Sequence, residues 1–247
     1  MNTPHHPAST APATPGSNPR ARSLRALAHL LTYPDAALRQ VLPEIEAALQ
    51  LEAALSAERR AGLLALTQAL LQNNPLEVEG DYVDLFDRGR ATSLHLFEHV
   101  HGDSRDRGPA MIDLLQTYEQ GGLYLDPARS DGELPDHLPV VLEFASTLAP
   151  EACCDFIGEF AHILNSVHDA LEGRQSSYAQ AVAAVLELGG QALVARPLVA
   201  EPAIDDSWAE PEAFAGCSSP GQQKPGDSQP IHFMPRTGAA PTRGALS

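Results

Sequence analysis

Basic residues are scarce in this chain. Lysine and arginine together number 16 against 32 aspartates and glutamates, a formal charge of -16 over 247 residues. Such a field repels phosphate backbones and anionic lipid and draws in cationic partners, so nucleic acid is not an expected ligand. Cysteine is also sparse: two of the three are adjacent, Cys153 and Cys154, and Cys217 lies in a distant polar segment. That spacing gives neither a metal-type CxxC pair nor a disulfide framework, which fits a reducing compartment. Long apolar runs are missing. The most apolar windows, 61–71 and 181–195, are broken by Thr67 and Gln68 or by Glu187 and Gln191, short of the roughly 20 residues a spanning helix needs. Residues 1–20 contain no apolar core of a secretory signal. A soluble cytoplasmic protein without stable membrane insertion is expected.

The signatures of common enzymes are equally absent: no G-x-x-x-x-G-K-[ST] loop, no G-x-G-x-x-G turn, no G-x-S-x-G elbow and no H-E-x-x-H. Nothing in the chain anchors catalysis.

What is present is helical periodicity. Leu24, Leu27, Leu30 and Leu31 repeat at helix spacing, as do Leu63, Leu66 and Leu70, and as does the stripe Phe156, Phe160, Ile163, Leu164, Val167 and Leu171. Tyr33-Pro34-Asp35 ends one helix and caps the next, Ser56 opens a third, and Pro75 suits a fourth. Gly121-Gly122 stops a helix that begins near Asp106, Leu134-Pro135-Asp136 starts another, and Ser176 or Ser177 caps the last. The expected fold is all-α, a single compact bundle of about seven to nine helices. It spans residues 22–196, between a flexible tail at 1–21 and a Pro/Gly-rich tail at 197–247.

Charge is unevenly placed. Glu77, Glu79, Asp81, Asp84 and Asp87 come in one run, and Asp126 to Glu172 holds ten acids with Arg129 as the only arginine or lysine. A solvated face explains such runs in general; a groove for the arginines of a basic peptide is the functional alternative. Between two predicted helices, residues 88–107 are crowded with Arg88, Arg90, His95, Glu98, His99, His101, Asp103, Arg105, Asp106 and Arg107. A metal site on His95, His99 and His101 is disfavoured by the flanking arginines, and an ordered connection whose charges satisfy one another is preferred. Glu159 and His162 have di-iron spacing, but the motif occurs once where such centres need it twice. No metal and no cofactor is expected.

Three stretches go further: Asp81-Tyr82-Val83-Asp84-Leu85-Phe86-Asp87-Arg88-Gly89-Arg90-Ala91-Thr92-Ser93-Leu94, then residues 96–108, then Glu133-Leu134-Pro135-Asp136-His137-Leu138-Pro139. Together with Tyr33-Pro34-Asp35 they resemble the nitrate reductase molybdenum cofactor assembly chaperones, over roughly residues 24–193. The resemblance implies a helical, non-enzymatic chaperone of the redox-enzyme maturation type. Such a protein binds the apo catalytic subunit of respiratory nitrate reductase at its N-terminal twin-arginine-like peptide and at a second site. It keeps that subunit competent for cofactor insertion and delays its docking on the membrane anchor; contact with cofactor-delivery proteins is left open. Carried over to this chain, the client-binding residues are Tyr82, Leu85, Phe86, Arg88, Glu98, His99, Asp136 and His137, with His137 expected to sense pH. The segment Asp205–Phe214, with Trp208, resembles the family's acidic tail only loosely. A chaperone for another molybdoenzyme of the dimethyl sulfoxide reductase type, or a metal-binding helical enzyme, are the alternatives.

Overall fold

Helix-capping chemistry divides the chain where the sequence places it. A computed structural model describes residues 18–102, 104–126 and 132–194; the expectations on Asp103, Arg129, Cys217, Trp208 and the 197–247 tail fall outside them. Asp35 accepts the Leu38 amide at 2.8 Å and opens α2, Ala36–Glu52. Ser56 does the same for Arg59 at α3, Ala57–Gln72. Asn74 accepts from Leu76 ahead of Pro75, which starts α4, Pro75–Tyr82. Each side-chain oxygen satisfies an amide that has no partner within its own helix. The fold is all-α: the described residues hold ten α-helices and no strand, only an isolated antiparallel bridge between His95 and His137. None of these helices is long and apolar enough to cross a membrane.

The centre is built by α1, Ala21–Leu30, and α10, Ala179–Leu188. Helix α10 is apolar on nearly every side, and eight of its ten residues are buried, as a helix without a polar face must be. Helix α1 packs against α2, α10 and α7, Leu138–Thr147, while α9, Ala161–Gly173, lies along α10.

Three expectations need correction. The helix count exceeds the predicted range because the apolar stripe from Phe156 to Leu171 breaks at Phe160, giving α8, Pro150–Glu159, and α9; side-chain periodicity carries across such a break and does not register it. The N-terminal boundary lies earlier than Arg22. Asn18 is already buried and its amide donates to the Leu148 carbonyl at 3.0 Å, satisfying an orphan group at the end of α7. Helix α7 starts at Leu138, after the Leu134-Pro135-Asp136 segment, with Pro139 in its first turn.

That displaced segment is a clasp. Tyr118, on α6, Arg107–Gln120, donates its hydroxyl to the Pro135 carbonyl at 2.7 Å. Leu96 N–H donates to the Asp136 carbonyl and Leu138 N–H to that of Leu94. The Asp136 carboxylate is fully buried and accepts the Phe97 amide at 3.0 Å at the start of α5, Leu96–His101. His95 Nδ1 and Arg107 Nη2 each stand 3.6 Å from its oxygens. Arg107 also meets Glu98 at 3.2 Å, and Glu98 accepts from Ser93. Among the described residues, the connection is thus held by Asp136 from outside it and by the Arg107–Glu98 pair within it.

Two outcomes follow from this geometry. Asp136→Ala strands Arg107, His95 and the Phe97 amide at once, and is expected to destabilise the domain by about 3–5 kcal/mol, read as a shifted urea midpoint. The contact with Asp136 lifts the His95 pKa above its ordinary value, against the opposing effect of burial. A raised folded value means that this stabilisation is full below the unfolded pKa of about 6.5 and is lost as pH rises through the folded one. His95→Gln is therefore expected to cost more stability at about pH 6 than at about pH 8; an equal cost at both would show that the pair carries no charge.

Candidate functional site

Helix α4 does not stop at Tyr82 but widens into a π-type turn, Val83–Asp87. Such a turn releases carbonyls from the regular ladder, and each needs a donor. Thr92 donates its hydroxyl to the Leu85 carbonyl, and Arg174 donates to that of Asp84 at 3.3 Å. Gly89 lets Thr92 close in, because a Cβ there would meet both the Thr92 hydroxyl and the Leu85 oxygen. The extra residue in the turn sends neighbouring side chains to different sides. Leu85 faces one concavity, and Phe86, Asp87 and Arg88 face another.

The first concavity is a groove of about 390 Å³ between α3, α4 and the connection from α9 to α10. Leu66, Leu70, Val78 and Leu85 supply apolar wall, and Asp81 and Asp84, both exposed, stand among them. Tyr178 also lines it; the residue is 7% exposed and its buried hydroxyl makes no hydrogen bond with any described residue. Beneath lies an aromatic stack: Tyr33 against Tyr82 at 5.6 Å, Tyr82 against Phe86 at 4.7 Å, and Phe86 against Tyr178 at 5.1 Å between ring centres. Tyr82 is buried, donates to the Leu31 carbonyl at 2.8 Å, and is held by that burial far above the ordinary phenol pKa.

The eight residues singled out by sequence therefore separate. Leu85 lines the groove, Phe86 lines the second concavity, and Tyr82 is buried with its ring against Phe86 and Tyr178. Arg88 is exposed and pairs with Asp84 at 2.6 Å. Glu98 belongs to the charged connection, and a His99 ring nitrogen lies 2.9 Å from the Ser93 carbonyl. Direct contact of Asp136 with a basic peptide is ruled out in this conformation, since its carboxylate is enclosed by its own chain. His137 is buried beside His95, with Glu133 2.9 Å from its Nδ1. Burial, then the charge of His95, pushes its pKa down to about 4. The Asp136 contact acts on His95 in the opposite direction, raising its pKa.

Groups weighed as metal ligands point elsewhere: His95 to Asp136, His99 to Ser93 and His101 edge-on to Phe97. Among the described residues no group of three or more His, Cys, Asp or Glu side chains is placed to hold a metal ion. Glu159 and His162 are both exposed. Sequence reasoning missed Tyr178 and Arg174, which reach the groove from some ninety residues downstream and belong to no local pattern.

Comparison with known proteins sets this geometry in context. The family model described as the nitrate reductase delta subunit matches residues 34–184. The chain is 41% identical over 184 residues to the nitrate reductase molybdenum cofactor assembly chaperone NarJ of Escherichia coli strain K12, covering 73% of this chain and 76% of that protein. It is 37% identical over 170 residues to the probable nitrate reductase molybdenum cofactor assembly chaperone NarW of the same strain, covering 69% of each. With the probable NarJ chaperone of Bacillus subtilis strain 168 it shares 32% identity over 155 residues, 63% of this chain and 81% of that one. With a family model covering more than half of its length and these relatives, the chain belongs to the nitrate reductase delta subunit family.

Proposed function

We propose that this protein is a cytoplasmic assembly chaperone for the apo catalytic subunit of nitrate reductase, without catalytic activity of its own, and that it holds the client's basic N-terminal segment in the groove beside the π-turn. The observation that carries the site is the combination in one groove of apolar wall, two exposed carboxylates and the orphan Tyr178 hydroxyl. Apolar positions of an amphipathic peptide bury against Leu66, Leu70, Val78 and Leu85, and its arginines meet Asp81 and Asp84. The Tyr178 hydroxyl donates to a peptide carbonyl, which removes the cost of a buried donor without an acceptor. Tyr82 and Phe86 hold the floor, and Arg88 positions Asp84. Asp136, His137, Glu98 and His99 act at a distance, by fixing the connection on the far side of the turn.

Chaperoning then needs no chemistry. Binding stabilises an open client by mass action, keeps it competent for molybdenum cofactor insertion and delays its docking on the membrane anchor. A second contact on the same client adds through effective concentration, so each site can be modest.

The test uses the full chain with a labelled peptide of the client's N-terminus, followed by fluorescence anisotropy. Joint Asp81→Lys and Asp84→Lys substitution is expected to weaken binding at least about tenfold at low salt, with the difference narrowing as salt screens the exposed pairs. Tyr178→Phe is expected to cost about fivefold, near 1 kcal/mol for one hydrogen bond. Recovery of the apo catalytic subunit should fall when that N-terminus is deleted. Unchanged affinity in both variants would remove the groove as the peptide site, and equal recovery of intact and truncated client would remove the peptide.

A further inference from the structure

The two flanks of α4 differ in what they face. Of its eight residues only Val78 and Tyr82 are buried. Asp81 turns to the groove, while helical spacing gathers Leu76, Glu79 and Val83 on the other flank. Leu76 is 78% exposed, more than any other large apolar side chain among the described residues. Tyr33 joins this flank: it is 44% exposed, donates its hydroxyl to Glu79 at 3.2 Å and meets the buried Tyr82 ring edge-on. We propose that this flank docks a second segment of the client, a basic amphipathic helix, separately from the N-terminal segment held in the groove. The proposal rests on the reading of the chain as the client's chaperone, and it gives a place to the second contact.

Charge selects the occupant. The Tyr33 pKa is raised, by partial burial first and then by the carboxylates of Glu79, Asp35 and Asp87, so three anionic groups stand around one exposed ring. The ion pairs of the described arginines go elsewhere, to Glu187, Asp84, Glu98 and Asp136. An arginine or lysine laid on the Tyr33 ring gains from its π-face and from the carboxylates beside it. Apolar positions of the same helix cover Leu76 and Val83. A second copy of this chain does not suit the flank, since a formal charge of -16 repels its like.

Gly80 supplies an independent observation. It follows Leu76 by one turn and is exposed, and a Cβ built there meets nothing within 4 Å. Its φ is not among the positive ones. Neither packing nor backbone conformation within the chain therefore requires glycine, although glycine weakens a helix interior relative to alanine. What it leaves is bare backbone on an exposed flank, where a second helix can approach closely. With the groove on one side and this flank on the other, α4 stands between two segments of one client, and binding either raises the effective concentration of the other.

The experiment uses the full chain and two probes: the apo catalytic subunit with its N-terminal segment deleted, immobilised for surface plasmon resonance, and the labelled N-terminal peptide. Joint Leu76→Gln and Glu79→Lys substitution is expected to weaken binding of the truncated subunit at least about tenfold, through lost apolar contact and reversed charge. The same variant is expected to hold the peptide within about twofold of the original. Gly80→Gln is expected to raise the thermal melting temperature, because a glycine leaves the helix, while binding of the truncated subunit weakens; a merely structural role would not move the two in opposite directions. Joint Asp81→Lys and Asp84→Lys substitution gives the reverse pattern, losing the peptide and keeping the truncated subunit. Circular dichroism melts of all variants establish that they are folded. No binding of the truncated subunit, unchanged binding in either flank variant, or an equal loss of the peptide would overturn the proposal. The groove is judged separately, by its own variants read with peptide.

Discussion

The Asp136 carboxylate is shut off from solvent, and an ionised group in that position persists only where donors and cations surround it. Its partners come from separate parts of the chain: the Phe97 amide donates to it at the start of α5, while Arg107 at the start of α6 and His95 between the π-turn and α5 each stand 3.6 Å from its oxygens. One side chain thereby ties the segment before α7 to both ends of the charged connection. Arg107 then holds Glu98, and Glu98 holds Ser93. Without that centre, residues 93–107 carry too many charges to lie against a hydrophobic core. With it, Ser93, Glu98, Gly102 and Arg107 form one wall of the second concavity.

The π-turn is the segment that the two concavities share, with Asp84 and Leu85 on one and Phe86 and Asp87 on the other. A regular continuation of α4 would place side chains three and four apart on one side. The wider turn instead separates Leu85 from Phe86 and Arg88, which is why an acidic, apolar groove and an arginine-lined hollow meet along one short segment. The cost of the irregular backbone is met locally, by Thr92 and Arg174 donating to the freed carbonyls. Thr92 lies seven residues downstream of its acceptor and Arg174 ninety, so the turn is held by one local and one distant contact.

Much of this was legible in the sequence, and the parts that were not share a cause. Caps at Asp35 and Ser56 act over three residues, so a linear reading finds them. The all-α class follows from periodicity alone. Of the residues the family motifs single out, Leu85 borders the first concavity and Arg88 and Glu98 the second. Their individual roles depended on burial. The family resemblance puts Asp136 and His137 in the groove; the structure encloses both, and burial sends the His137 pKa down while Asp136 raises that of His95. Asn18 and Tyr178 act on partners far away in sequence, Asn18 on a carbonyl 130 residues distant, and no local spacing encodes such a contact.

Charge placement also constrains how a client would be held and released. Asp81 and Asp84 are exposed, so pairs formed with them are screened by salt and individually weak. The Tyr178 hydroxyl is buried, so a hydrogen bond made there is shielded and depends on the peptide entering fully. On the proposed reading, the carboxylates govern approach and the phenol registers completed docking, which separates capture from commitment. A chaperone must let go once its client matures, and weak exposed pairs with one buried contact suit that demand better than a deep set of buried charges. The enclosed Asp136 illustrates the alternative: a carboxylate buried among partners of its own chain stabilises one arrangement and is not available for exchange.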